Sequence, residues 1–141
     1  MAKDRASKEG LVVHPPSADH LQGGNMVDFT GLKIERNEIH FPNGEKVLFD
    51  YTVADCIIVN YWLIVRLEIP MNDNMVDNVY GLNVKTNQKW RIQSLPILMK
   101  HPYIAIVFDK TKGQLWAVDF YGIRVQIDIS DGSIIKRDFV K

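Results

Sequence analysis

Apolar and polar residues alternate with a period of two through most of this sequence, and no segment has the 3.6-residue period of an amphipathic helix. From Leu32 to Glu35, and again from Ile123 to Ile129, every second residue is apolar and the residues between are polar or charged. Such alternation places one set of side chains on the buried face of a sheet and the other set on the opposite face. The pattern predicts an all-β fold, an antiparallel meander of about ten short strands.

Turn sequences separate the predicted strands at short intervals. Asn43-Gly44 and Asp131-Gly132 each lie between two alternating runs, and these dipeptides accept the positive φ angles of tight hairpin turns. Residues 53–69 predict two strands joined near Asn60-Tyr61, and Pro70 ends the second strand because proline cannot donate to a strand ladder. Short connections between short strands favour an open pair of sheets, a sandwich or a barrel.

The first 25 residues differ in composition from the rest of the chain. They include a charged stretch, Pro15-Pro16 and the Gln22-Gly23-Gly24-Asn25 joint, so residues 1–25 are predicted to be a flexible leader. Residues 11–13 are apolar and could add an edge strand. Because Met26 can serve as a start, the leader need not belong to the native chain, and residues 26–141 are predicted to form a single all-β domain.

Composition excludes several classes of partner. Lys plus Arg and Asp plus Glu number 17 each, so the surplus of positive charge that nucleic-acid binding requires is missing. The longest apolar run, residues 56–67, is about half the length of a membrane-spanning helix, and no signal peptide precedes it. A cytoplasmic location is therefore expected. Cys56, the single cysteine, lies in this run and is expected to be an inert apolar side chain.

Motifs for catalysis, cofactors or metals are missing from the sequence. No glycine-rich phosphate loop, paired-cysteine motif, paired-histidine motif or nucleophile elbow occurs. We therefore predict a non-enzymatic protein with no catalytic residues, no cofactor and no metal site, and its function is expected to lie in binding.

Aromatic residues beside charges predict a protein-binding surface. Trp62 shares a strand face with Arg66, so it is expected to be half covered, and a half-exposed tryptophan beside charge is typical of a binding hot spot. A polar, acidic loop follows Pro70. The predicted contact residues are Tyr61, Trp62, Arg66, Asp73 and Asp77. The partner would be another protein or, through exposed edge strands, a second copy of this chain.

A second hypothesis is a small-ligand or carbohydrate-binding β-barrel or sandwich. Its pocket would be lined by Trp90, Trp116, Asp119 and Tyr121. Two of these residues also have a purely structural interpretation. Trp116 shares a strand face with Val118, which predicts a core position, and Asp119 is suited to hydrogen-bonding the turn that follows it.

Two segments repeat at an offset of 41 residues. Val79-Tyr80-Gly81-Leu82-Asn83-Val84 is matched by Phe120-Tyr121-Gly122-Ile123-Arg124-Val125, and the same offset sets residues 63–68 over residues 104–109. A period near 40 residues with four strands in each unit is typical of propeller blades.

The repeat extends to a longer pattern, N-V-x-G, W-x-I and G-x-x-x-x-I-D-x-x-x-G-x-I. It is carried here by Asn78, Val79, Gly81, Trp90, Ile92, Gly122, Ile127, Asp128, Gly132 and Ile134. This pattern resembles small uncharacterised bacterial proteins with two propeller-blade-like repeats of the quinoprotein type, similar in size to immunity and mobile-cassette proteins. The resemblance implies blade-like sheets and a protein partner such as a toxin. It implies no quinone, because two blades enclose no central channel.

Overall fold

The computed structural model describes residues 11–12, 29–97 and 99–140, which form twelve β-strands in three four-stranded sheets. Sheet A contains β1 (Leu11–Val12), β2 (Lys33–Glu35), β3 (Glu38–His40) and β4 (Lys46–Leu48). Sheet B contains β5 (Val53–Val59), β6 (Trp62–Leu67), β7 (Val79–Asn83) and β8 (Lys89–Arg91). Sheet C contains β9 (Tyr103–Asp109), β10 (Gln114–Asp119), β11 (Ile123–Ile127) and β12 (Ile134–Phe139).

Each sheet is an antiparallel meander in which every strand pairs with the next strand of the chain. The all-β prediction is confirmed, and the three sheets are open. The predicted turns form as expected, since Gly44 and Gly132 have positive φ angles and Asn60, with φ of 53°, joins β5 to β6. Within the described ranges, no helix is long and apolar enough to cross a bilayer.

Sheet B is the middle layer, and a separate hydrophobic core lies against each of its faces. Leu63, Val65 and Leu67 of β6 pack with sheet A residues such as Ile34 and Ile39. On the other face, Ile64, Val79 and Trp90 pack with sheet C. Both faces of β6 therefore contribute to a hydrophobic core. On this second face Trp62 and Arg66 are half-buried, as expected for a mixed face, and Ile64 between them has an exposed fraction of 0% because sheet C covers it.

Asn78 joins sheets B and C in the buried interior. Its Nδ2 donates to the carbonyl oxygens of Leu67 (2.7 Å) and Tyr103 (3.0 Å), and its Oδ1 accepts a hydrogen bond from the Tyr103 amide (2.8 Å). The side-chain amide thus bonds to β6 and β9 as a peptide group of an additional strand would. These bonds satisfy a polar side chain whose exposed fraction is 1%, and burying it without partners would cost several kcal/mol.

Trp90, on the edge strand β8 of sheet B, packs against sheet C. Its indole lies against Gly81, its cross-strand partner on β7, and against Gly132 in the β11–β12 turn. The indole Nε1 donates to the Ile129 carbonyl oxygen (2.6 Å). A Cβ atom at Gly81 would lie 2.2 Å from the ring, and one at Gly132 would lie 2.6 Å from it. Only glycine leaves room for the indole at these two positions.

The structural repeat differs in register from the sequence repeat. An offset of 41 residues sets β6 over β9, but β6 is the second strand of sheet B and β9 is the first strand of sheet C. By position in its sheet, the counterpart of β6 is β10. The offset therefore matches strands with different places in their sheets, although each sheet has the four-stranded meander expected of a blade.

The predicted leader, residues 1–25, falls outside the described residues except for Leu11–Val12. These two residues form β1, which pairs with β2 at the edge of sheet A. An edge strand at this position was one of the two structures expected for the apolar part of the leader.

Candidate functional site

Several large apolar side chains are exposed together at one end of sheet C. The β10–β11 turn, the start of β9 and the end of β12 meet there, since Asp119 pairs with Tyr103 and Ile123 pairs with Phe139. Phe120 and Tyr121 are 73% and 64% exposed. We call this surface the apolar end of sheet C, and define it by Ile104, Phe120, Tyr121, Phe139 and Val140. Exposed apolar side chains gathered in one place are typical of an interaction surface.

The β10–β11 turn holds its two aromatic rings in a defined arrangement. Asp119 is buried, and its Oδ1 accepts hydrogen bonds from the backbone amides of Tyr121 (2.9 Å) and Ile123 (3.0 Å). The rings of Phe120 and Tyr121 meet edge to face with centroids 5.3 Å apart, and the His101 ring lies 4.6 Å from that of Tyr121. The turn therefore presents Phe120 on a fixed backbone, which lowers the entropy lost on binding.

Charged groups lie behind this apolar surface. Lys100 Nζ is 3.1 Å from an oxygen of Asp77, and both side chains are largely buried. Burial, and then the carboxylates of Asp77 and Asp119, raise the pKa of Tyr103 to about 12, while Arg137 opposes this shift. The cavity among these residues is only about 20 Å³, room for one water molecule. These charged residues therefore lie beneath the apolar surface, and the cavity among them is too small to be a substrate pocket.

The single cysteine is not a nucleophile at neutral pH. Burial, and then the neighbouring Asp55 carboxylate, raise the pKa of Cys56 to about 12. The thiol is therefore protonated under physiological conditions, which agrees with the inert role expected from the sequence.

A larger cleft lies between sheets A and B, at the opposite end of the molecule's middle layer from the β6–β7 loop. One wall is the β3–β4 turn with Phe41, and the other is the β7–β8 turn with Asn83. Phe29 and Leu82, both buried, lie at its base. Its volume is about 810 Å³, within the range of small-molecule sites.

A third group of polar side chains lies on the outer face of sheet A. The ligand atoms of Glu35, Glu38 and His40 are all within 4.8 Å of one another. His40 Nε2 is 2.9 Å from Glu38 Oε1, and Lys33 Nζ is 3.4 Å from Glu35 Oε2. The two carboxylates, which face each other across β2 and β3, thus each have a basic side chain nearby.

Comparison with known proteins assigns the chain to a family. The model of a domain of unknown function, DUF7957, matches residues 29–139. The chain belongs to the DUF7957 family. No curated protein and no solved structure matches it. The matched region of the DUF7957 domain begins at Phe29, before β2, and ends at the last residue of β12, so it includes the cleft and all of the apolar end of sheet C except Val140.

The predicted partner-binding residues are divided between the two ends of sheet B in the DUF7957 domain. Tyr61 and Trp62 lie at the β5–β6 turn, where Lys85 lies over the Tyr61 ring and Trp62 packs near Trp90. Asp73 and Asp77 lie in the loop that follows the other end of β6. The five residues therefore do not share one surface.

The polar members of that predicted set are engaged within the domain. Arg66 donates to Asp55 Oδ1 (2.9 Å) and to the Tyr103 carbonyl oxygen (3.3 Å). Asp73 accepts from the Tyr51 hydroxyl (2.8 Å), and Asp77 pairs with Lys100. Of the predicted set, Asp77 lies behind the apolar end of sheet C, where its charge contributes to the raised pKa of Tyr103.

The alternative ligand-binding residues lie in three different places. Trp90 is buried between sheets B and C, whereas Tyr121 belongs to the apolar end of sheet C and the buried Asp119 holds the turn that carries Tyr121. Trp116 is buried, as expected, but it lies on the outer face of sheet C and not in the hydrophobic core between sheets B and C. Its neighbours Leu115 and Ala117 face the core, and Trp116 is only 6% exposed because Arg124, 4.0 Å from the ring, and Lys136 cover it.

Sequence reasoning missed Phe120 and Phe139 of the DUF7957 domain. Alternation alone does not show that the β10–β11 turn, the start of β9 and the end of β12 meet, because that depends on strand order. The available signal was the pair of aromatic residues before Gly122, since a turn exposes side chains that a strand would bury. The cleft was missed for a similar reason, because its walls are two turns from different sheets.

Proposed function

We propose that this DUF7957 protein is a non-enzymatic binding module that recognises another protein through the apolar end of sheet C. The observation that carries the proposal is the exposure of Phe120, Tyr121 and Phe139 at one end of one sheet, on a turn fixed by the Asp119 carboxylate. Aromatic side chains on a rigid backbone are the usual anchors of protein interfaces. The sequence resembles small bacterial proteins that are similar in size to immunity proteins, and this resemblance is the reason for proposing a toxin as the partner.

Pairing between edge strands has less support as the mode of association. A register shift interrupts β12 between its pairings with Gln126 and Ile127, and the strand carries Lys136, Arg137 and Asp138. Gln93 Oε1 also accepts a hydrogen bond from the Ile134 amide. Bulges and charges of this kind protect an edge strand from pairing with another chain. The apolar end of sheet C is therefore a better candidate surface than the β12 edge.

The test uses the full chain as bait in an extract of its source organism. We compare the native protein with the double variant Phe120→Ser/Tyr121→Ser and with Leu48→Ser, a control at an exposed apolar residue of sheet A. A partner should be retained by the native protein and by the control and lost from the double variant. With the purified partner, loss of an aromatic anchor worth about 2 kcal/mol should weaken binding roughly 30-fold.

Equal retention of every protein by all three baits would refute the proposal. Sedimentation velocity of the purified chain at increasing concentration distinguishes self-association. A dimer abolished by the Phe120→Ser/Tyr121→Ser variant would identify the partner as a second copy, whereas a dimer unaffected by it would place the contact elsewhere.

A further inference from the structure

The cleft between sheets A and B has the form of a small-molecule site that is separate from the apolar end of sheet C. Its walls are two turns fixed by backbone hydrogen bonds, with Gly44 N donating to Phe41 O (3.0 Å) and Asn87 N donating to Asn83 O (2.9 Å). Its volume of about 810 Å³ would hold a molecule of the size of one or two sugar rings. The half-buried Phe41 ring offers an apolar surface beside these polar walls.

The hydrogen-bonding groups of the walls are biased towards donors. Asn43 Oδ1 already accepts from the Glu45 amide, and Asn83 Oδ1 already accepts from the amides of Lys85 and Thr86. Gln88 Oε1 accepts from the Thr86 hydroxyl. A side-chain amide also carries two N–H donors. The oxygens of these three amides thus take part in holding the turns, and their NH₂ groups can supply donors to a ligand in the cleft.

The charged side chains that line the cleft are also more suited to an anionic ligand than to a cationic one. Lys46 lines the first wall and Lys89 the second, and Glu45 is the single carboxylate among the described residues that line the cleft. Two cations and one anion leave a positive balance in a chain whose overall net charge is zero. A ligand rich in acceptor oxygens and carrying negative charge would satisfy both the amide donors and the lysines.

We propose that this cleft binds an anionic sugar, a monosaccharide or disaccharide that carries a carboxylate or a phosphate. The hydroxyl and ring oxygens would accept from the amide groups of Asn43, Asn83 and Gln88, and the anionic group would lie between Lys46 and Lys89. The C–H face of the sugar ring would pack on Phe41. This site differs in residues and place from the one in the second sequence-based hypothesis, and it is independent of the protein-binding proposal.

Titration calorimetry with the full chain tests the proposal at low salt. The probes are glucuronate, glucose 6-phosphate, glucose and inorganic phosphate. At least one anionic sugar should bind, at least tenfold more tightly than glucose and than inorganic phosphate. Binding of glucuronate alone would indicate a carboxylate ligand, and binding of glucose 6-phosphate alone would indicate a phosphate ligand. Equal affinity for inorganic phosphate and the sugar phosphate, or no binding of any sugar at 10 mM, would overturn the proposal.

Exposed lysines supply matched variants that leave the core intact. Lys46→Gln and Lys89→Gln should each weaken binding of the anionic sugar by about tenfold, because each removes one charge-assisted contact. Lys112→Gln, in the β9–β10 turn of sheet C, is the control and should leave the affinity unchanged. Amide shifts in NMR spectra should cluster at residues 41–47 and 82–89. An equal effect of Lys112→Gln, or shifts confined to sheet C, would contradict the assignment.

Discussion

Substitution of Gly81 by alanine tests the packing of Trp90 between sheets B and C. The added Cβ would lie 2.2 Å from Trp90 Cε2 and 2.4 Å from Cζ2, far inside contact distance. The indole cannot simply retreat, because Gly132 lies against it in sheet C and its Nε1 is bonded to the Ile129 carbonyl oxygen. The alanine therefore forces both sheets to shift.

The expected magnitude follows from two opposing terms. Overpacking of a core costs about 1–3 kcal/mol, and the fixed indole places this site near the upper value. Replacing glycine by alanine also restricts the unfolded chain, which stabilises the protein by about 0.4–1 kcal/mol. The net loss in the free energy of unfolding of Gly81→Ala should be about 2 kcal/mol. For a domain of this size, the melting temperature should fall by roughly 8 °C.

Urea unfolding followed by far-UV circular dichroism measures this loss, and a second background makes the cause testable. In a Trp90→Leu protein the overpacking term disappears, so Gly81→Ala should become neutral or stabilising. Gly44→Ala is a control for backbone strain without overpacking. The added Cβ would meet nothing within 4 Å, but alanine is strained at the φ of 93° found there. A Gly81→Ala protein as stable as the native one, or an equal loss in both backgrounds, would refute the role assigned to the indole.

Two further predictions concern the junction of sheets B and C. Asn78→Asp should lower the free energy of unfolding by about 3 kcal/mol in urea titrations, because a carboxylate cannot donate to the carbonyl oxygens of Leu67 and Tyr103; a loss below 1 kcal/mol would contradict the proposed junction. The pKa of Tyr103 is raised to about 12, so the folded state retains this proton and stability should decrease as pH rises from about 10 to 12. Tyr103→Phe should reduce that slope, and an unchanged slope would count against the assignment.

Local patterns predicted the strands well because strand formation depends on neighbours in sequence. The alternation around Ile34 and Val125, and the glycine turns at Gly44 and Gly132, identified buried faces and hairpins that the structure confirms. The number of layers was not predictable in this way. The burial of Ile64 on the second face of β6 depends on where sheet C packs, and the residues next to Ile64 in sequence do not indicate this.

The burial of Trp116 was predictable from the sequence, but the face of sheet C on which it lies was not. Trp116 and Val118 do share a face, but that face is the outer one, where Arg124 covers the indole. A large aromatic residue indicates the core unless a cation is available to cover it, and the cation here comes from the neighbouring strand. The sequence analysis assigned Asp77 and Asp119 to two different sites. Their proximity around Tyr103 was not predictable because it arises only when sheets B and C pack together.

The meander order of the three sheets has a consequence for how the chain reaches its native state. Every strand pair in the described residues forms between strands that are consecutive in the chain, so sheets B and C, and β2 to β4 of sheet A, can assemble from their own hairpins. Only β1 pairs across a longer separation in sequence among the described strands. Folding rates increase as contacting residues lie closer together in sequence, and Greek-key sandwiches, with their long crossovers, fold slowly by this measure. This three-layered protein should therefore fold faster than a Greek-key sandwich of the same length.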